Sequence, residues 1–289
     1  MIPNRIHEIA KKYVEYDMIQ AHTELPAFPD LRVRLLFAIL NQQSPNVAQS
    51  ELYSLVVSLV QLGMDTHDLI DLETDKRSES EMRSRQLKVL AGDYFSSQFY
   101  RLLAQAGQTD MIAAISSAVC EVNRMKVKLY IMMSRSELTA EDYFAWMAGM
   151  KSKLFDVFAG KMAGQASSSW PVLLQGMCRC EVALDEMERC ESPTRFYQSW
   201  AYWHVLENGT EEERQALEQQ HSNPAFLSSL LKKYGFRGKL GVMLQSAADE
   251  VQAAAAGLHA DMLVQEFLQA LESYTGRLAG AVPALNETR

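Results

Sequence analysis

No proline occurs between Pro45 and Pro171, a stretch of 125 residues. Proline removes a backbone donor and clashes with the preceding turn, so helix interiors exclude it. A long run without it, sparse in glycine and rich in Ala, Leu, Met and Glu, favours helix. The apolar pattern agrees. Ile112, Ile115, Val119, Val122 and Leu129 recur at helical steps, as do Leu263, Phe267, Leu271, Tyr274 and Leu278. Each set belongs on one helical face. No alternating strand pattern bounded by turn residues stands out. The expected fold is all-α, with ten or more helices.

The breaks are local. Pro26 and Pro29 end a first helical arm, and Ser44-Pro45-Asn46 reads as a turn into a new helix. Ser134 to Thr139 is a polar loop, after which Glu141 and Asp142 suit the positive end of a helix dipole. Gly164 to Pro171, with its serines, is expected to be a loop. Asn208-Gly209-Thr210 before Glu211, Glu212 and Glu213 marks a stop and a capped restart. No linker-like segment and no repeat is present, so residues 1–289 read as a single domain.

Hydrophobic residues make up 48% of the chain and charged residues 22%, ordinary values for a globular protein. A chain of this length buries roughly three quarters of its unfolded surface and needs no disulfide or metal to fold. The net charge is −8 and no run of five like charges occurs, which argues against a nucleic-acid partner. No apolar stretch approaches the ~20 residues of a transmembrane helix; the longest is Leu35–Leu40. The start lacks a secretory apolar core, so a cytoplasmic location is expected. The four cysteines, Cys120, Cys178, Cys180 and Cys190, are then expected to be free thiols. Cys178 and Cys180 lie about 200° apart around a helix and do not chelate one ion; they read as small buried hydrophobes.

The most unusual segment is Asp65-Thr66-His67-Asp68-Leu69-Ile70-Asp71, continuing to Asp75, Lys76 and Arg77. On a continuous helix His67, Asp68, Asp71 and Asp75 share a face. Clustered carboxylates suit Mg²⁺, which sits on one or two of them together with substrate phosphates. Lys76 and Arg77 follow as phosphate partners. The plainer alternative is a solvated acidic face with flanking counter-charges.

Further along comes Gln86-Leu87-Lys88-Val89-Leu90-Ala91-Gly92-Asp93-Tyr94-Phe95. Taken in order, these segments resemble the trans-polyprenyl diphosphate synthases, and within them the small first component of the two-component heptaprenyl diphosphate synthases. The match is closest over residues 60–130 and extends weakly over 30–240. The resemblance implies an all-α fold with a central cavity and two facing aspartate motifs that hold Mg²⁺ around an allylic diphosphate. It marks His67, Asp68, Asp71, Lys76, Arg77, Asp93 and Arg34 as the remains of a diphosphate and metal pocket.

The departures from the family pattern are chemical. The first aspartate of Asp-Asp-x-x-Asp becomes His67, and imidazole is a poor ligand for Mg²⁺. Arg-Arg-Gly becomes Lys76-Arg77-Ser78. The Gly-Gly-Lys-x-x-Arg grip on isopentenyl diphosphate falls on Pro29–Arg34 and keeps only Arg34. The Lys-Thr pair falls on Met150-Lys151. The second aspartate motif survives only as an echo over Glu181–Glu188. Ionising an allylic diphosphate needs Lewis-acid metal ions, so the chain itself is expected to carry no catalytic residue and no metal.

The resemblance thus implies a non-catalytic regulatory subunit. Its partner is a catalytic component 2, with Mg²⁺ in the partner's active site. The pair would elongate farnesyl diphosphate with isopentenyl diphosphate for the menaquinone side chain. Two alternatives remain at this level: a self-sufficient divergent synthase homodimer, and a helical adaptor without enzymatic role. Leu52–Met64 and the set Phe99, Tyr100, Leu102 and Leu103 are candidates for either core or partner interface. Leu62 and Gly63, just before the first motif, are candidates for the wall of the hydrocarbon tunnel, with Gly63 leaving room. Trp200, Tyr202, Trp203 and His204 read as core packing ahead of a lipid contact.

Overall fold

The computed structural model describes residues 5–43, 46–70, 78–220, 222–256 and 264–265. Every regular element among them is helical. In chain order these are α1 (Arg5–Val14), α2 (Asp17–His22), α3 (Asp30–Gln43), α4 (Val47–Asp68), α5 (Glu79–Gln105) and α6 (Thr109–Ser134). There follow α7 (Ala140–Asp156), α8 (Gly164–Glu191), α9 (Trp200–Asn208), α10 (Glu211–Gln220), α11 (Pro224–Tyr234) and α12 (Phe236–Ala255). The C-terminal stripe Leu263 to Leu278 lies outside the described residues.

Capping chemistry sets the boundaries. The Asn46 side chain accepts from the Gln49 amide to start α4. Ser78 and Glu81 form a reciprocal capping box at α5. Thr210 and Glu213 do the same at α10, where the Thr210 amide donates to the Glu213 carboxylate at 2.9 Å. The loop between α6 and α7 falls where the polar stretch places it. One expectation fails. Gly164–Pro171 is not a loop but the start of α8, with Pro171 inside the helix. Trp170, Leu173 and Leu174 on that helix are fully buried. Their burial outweighs the ~3 kcal/mol that an interior proline costs.

The chain divides into two compact units, Met1–Glu121 with Leu154–Ser167, and Val122–Lys153 with Ser168–Arg289. In the first, α4 is the central helix. Leu55, Val56, Val57, Leu59, Val60, Leu62 and Met64 are all buried, which marks a helix enclosed on every side. Its most extensive neighbour is α5, through Ala91, Phe95, Phe99 and Leu103. The apolar faces of α4, Phe99 and Leu103 are therefore core, whereas Tyr100 is half exposed.

In the second unit, α8 contributes Met177, Cys178, Cys180, Ala183, Met187 and Cys190 to the core. Gly176 lets α12 approach closely: a Cβ there would lie 2.6 Å from Val251 Cγ2. Cys178, Cys180 and Cys190 are buried free thiols, while Cys120 is exposed. Burial pushes the Cys180 and Cys190 thiols up to about 12. Trp200, Tyr202 and Trp203 are buried core residues, as their pattern suggests.

Candidate functional site

The first motif lies at the C-terminal end of α4. The helix stops at Asp68, and the Leu69 amide closes the turn. The Lys88 ammonium of α5 then donates to the Leu69 carbonyl at 3.3 Å. Among the described residues α4 ends at Asp68 and the chain turns through Leu69 and Ile70; the rest of the face expected from His67 to Asp75 lies outside them. Asp71, Lys76 and Arg77 lie outside the described residues.

His67 and Asp93 do come together. His67 Nε2 lies 3.4 Å from Asp93 Oδ1 and 3.3 Å from the Val89 carbonyl oxygen. The imidazole occupies the space above Gly92, where a Cβ would fall 2.3 Å from ring atoms. Gly92 is thus required by the ring that rests on it. The two helices also cross backbone to backbone here. A Cβ on Gly63 would lie 2.8 Å from the Gly92 carbonyl oxygen and 3.0 Å from the Ser96 nitrogen.

Gly63 therefore faces α5 at a close crossing, where an added side chain would meet backbone atoms. Leu62 is different. It packs with Ala91 and Phe95 against Val14, Ile19, Leu25 and Tyr94. It also lines a small cavity of about 220 Å³ with His7, Lys11 and Phe28. The arm of α1 and α2 closes over this cluster. Tyr16 and Tyr94 share a hydrogen bond of 2.6 Å between hydroxyls, and burial, with that bond, pushes Tyr94 up to about 12.

Arg34 is held by Asp30 on its own helix at 3.8 Å. A second arginine, which the motif comparison passes over, is more deeply placed. Arg32 is 3% exposed, stacks on Phe155 at 5.0 Å and donates to Gln61 Oε1 at 3.3 Å. Gln61 in turn donates to Asp65 at 2.8 Å. The available signal was a charged residue within the apolar run of α3.

The remnant of the second motif lies in the other unit, on α8. Lys151 of α7 stands against it, with its ammonium 3.1 Å from Asp185 and 3.7 Å from Glu181. Glu186, next in the segment, is buried and turned to another task. It accepts from Tyr143 at 3.0 Å, Arg189 at 2.8 Å and the Trp200 amide at 2.6 Å. Two carboxylates that share one ammonium, and an imidazole set in the first slot of the other motif, do not fit the oxygen-rich set that Mg²⁺ requires. Among the described residues, no three His, Cys, Asp or Glu side chains gather in a metal-binding group.

Solved structures define the fold. The fold is similar to geranylgeranyl pyrophosphate synthetase from Pyrococcus horikoshii, with a TM-score of 0.70 and 14% identity over 92% of this chain and 94% of that one. It is similar to decaprenyl diphosphate synthase from Rhodobacter capsulatus at 0.70 and 12%, over 94% of each chain. Heptaprenyl diphosphate synthase from Staphylococcus aureus matches at 0.67 and 11%, over 94% of this chain and 96% of that one. The fold is that of the isoprenoid synthases. The sequence profile of heptaprenyl diphosphate synthase (HEPPP synthase) subunit 1 matches residues 16–176, and the chain belongs to that family. Heptaprenyl diphosphate synthase component 1 from Geobacillus stearothermophilus is 34% identical over 125 residues, 43% of this chain. That match spans about half, 53%, of the relative's length.

Proposed function

We propose that the chain is the non-catalytic, regulatory subunit of a two-component heptaprenyl diphosphate synthase in the cytoplasm. A catalytic second component holds the Mg²⁺ and elongates farnesyl diphosphate with isopentenyl diphosphate, for the menaquinone side chain. The observation that carries this reading is Lys151 set between Asp185 and Glu181. An ammonium of the chain itself offsets part of the charge of carboxylates that a synthase would keep for metal ions, and turnover by this chain would lack that Lewis acid. His67 on Gly92 supports the same conclusion at the other motif. The family is that of a subunit numbered 1, which supports the existence of a second component.

The test is turnover with farnesyl and isopentenyl diphosphates and Mg²⁺, with the chain alone, the catalytic component alone, and both. The expected result is activity in the mixture and none in this chain. Turnover by the purified chain alone would make it a self-sufficient synthase. No effect on a catalytic component to which it binds would make it an adaptor.

A further inference from the structure

The arm between α1 and α3 is built differently from the helices on either side of it. Buried Ile6, Ala10 and Tyr13 anchor α1, and Val33, Leu35, Leu36 and Ile39 anchor α3. Between them α2 buries no residue. Met18 on α2 is 62% exposed, and Tyr16 just before it 44%. No side chain caps the start of α2, and the backbone is extended at both its ends, at Tyr16 (φ −112°, ψ 125°) and Thr23 (φ −147°, ψ 146°). Two anchored helices thus carry a short helix between two non-helical joints, residues 15–16 and 23–29. Hinges are built in this way, from a few loop residues that absorb a change in φ and ψ.

The ties that hold the arm down reach α5. Tyr16 and Tyr94 share their 2.6 Å hydroxyl bond, with the two rings edge-on at 5.2 Å. The Ser84 hydroxyl donates to the Thr23 hydroxyl at 3.4 Å. Ile19 and Leu25, both partly buried, pack on the cluster of Leu62, Ala91 and Phe95. A hydrogen bond between neutral groups contributes little net stability, because water replaces it on opening. Segments with few buried apolar contacts and exposed hydrogen bonds open at low free energy while the rest of the fold stays intact.

Opening here uncovers one place. The cavity of about 220 Å³ is bounded by Leu62 of α4 and Ala10 of α1, which belong to the anchored body, and by Glu15, Gln20, Pro26 and Phe28, which belong to the arm. An arm that swings away from α5 takes that wall with it. Leu62, 1% exposed in the closed arrangement, then meets solvent. We propose that residues 15–28 form a flap, hinged at both ends and latched by the Tyr16–Tyr94 hydroxyl pair, that gates the cavity beside Leu62. The device belongs to the chain's own conformations and does not depend on a catalytic partner.

The experiment reads opening in two ways on the full chain. In the first, Leu62→Cys places a thiol under the flap, and its alkylation by N-ethylmaleimide is followed by mass spectrometry without denaturant. Cys120, which is exposed, and Cys178, which is buried, are the internal references. The introduced thiol should react more slowly than Cys120 and faster than Cys178. Adding Tyr94→Phe removes the latch and should raise its rate about fivefold, the effect of one net hydrogen bond, with the rate of Cys178 unchanged. In the second, hydrogen–deuterium exchange compares the parent with Tyr94→Phe alone, and needs no change in the core. Exchange should quicken over residues 15–28 and stay the same in α3 and α8. A thiol under the flap as protected as Cys178 overturns the proposal. So does acceleration of Cys178 or of α3 and α8 to the same degree, which is global unfolding, or exchange over residues 15–28 that ignores Tyr94→Phe.

Discussion

At the residue scale, Gly63 and Gly92 show how little room the first motif leaves. The atoms nearest a Gly63 Cβ include the Gly92 carbonyl and the Ser96 amide nitrogen, which cannot swing aside as a side-chain tip can. Gly63→Ala should destabilise the protein by about 1–3 kcal/mol, the usual cost of overpacking, seen as a lower urea midpoint. Gly63→Phe should fail to fold, and so cannot probe a hydrocarbon tunnel. Lys151→Met tests the internal counter-ion. It leaves Asp185 and Glu181 without their ammonium, and should let Mn²⁺ protect the variant against thermal unfolding where it does not protect the parent. Equal response of the two proteins to Mn²⁺ would show that Lys151 does not screen those carboxylates. The thiols divide as cleanly. Iodoacetamide should label Cys120 in the native chain, and Cys178, Cys180 and Cys190 only after denaturation, read by mass spectrometry. A thiol is reactive as its thiolate, and burial disfavours that form.

At the element scale, the end of α9 carries a pH-sensitive contact. His204 stacks on Trp200 at 5.0 Å and meets Tyr234 and Phe236 edge-on. Its Nε2 lies 2.7 Å from the Lys239 ammonium of α12. Burial, then Lys239, lower its affinity for a proton, and Glu207 opposes them. The unfolded chain therefore binds the proton more readily than the folded one. Stability is highest above the ordinary histidine value near 6.5 and falls as pH drops below it towards the lower folded value. The urea midpoint should decline from pH 7.5 to 5, and His204→Gln should flatten part of that decline. Helical elements were largely legible in sequence, because caps and proline-free periodicity are local signals. Asn46, Ser78 and Thr210 announce their helices. The start of α8 was not legible, since Pro171 argues for a loop and only the tertiary burial of Trp170 decides otherwise. The position of the first motif was readable, but Lys151 was not. Alignment sets it only in the second slot of the family's Lys-Thr pair, and only the packing of α7 on α8 brings it to Asp185.

At the scale of the whole molecule, the proposed assembly with a catalytic component would need a surface, and the apolar faces of α4 are spent on the chain's own core. On α5, Leu90 is 63% exposed, its neighbour Val89 40%, and Tyr100, nearly three turns further along, 50%. Leu90→Glu should leave stability within about 0.5 kcal/mol, as exposed substitutions generally do, while weakening assembly with the catalytic component at least tenfold. Sedimentation of the mixture would measure it. An unchanged complex would move the interface off α5.

Lys151 also bears on whether the chain could return to independent turnover. On the proposed reading, the erosion is not one lesion but several that now support one another. Restoring an aspartate at His67 would still leave Asp185 and Glu181 satisfied by their own lysine. Removing the lysine first would strip those carboxylates of a counter-ion before any metal had a complete cage. Each single step backwards is unrewarded, so dependence on a second component is entrenched.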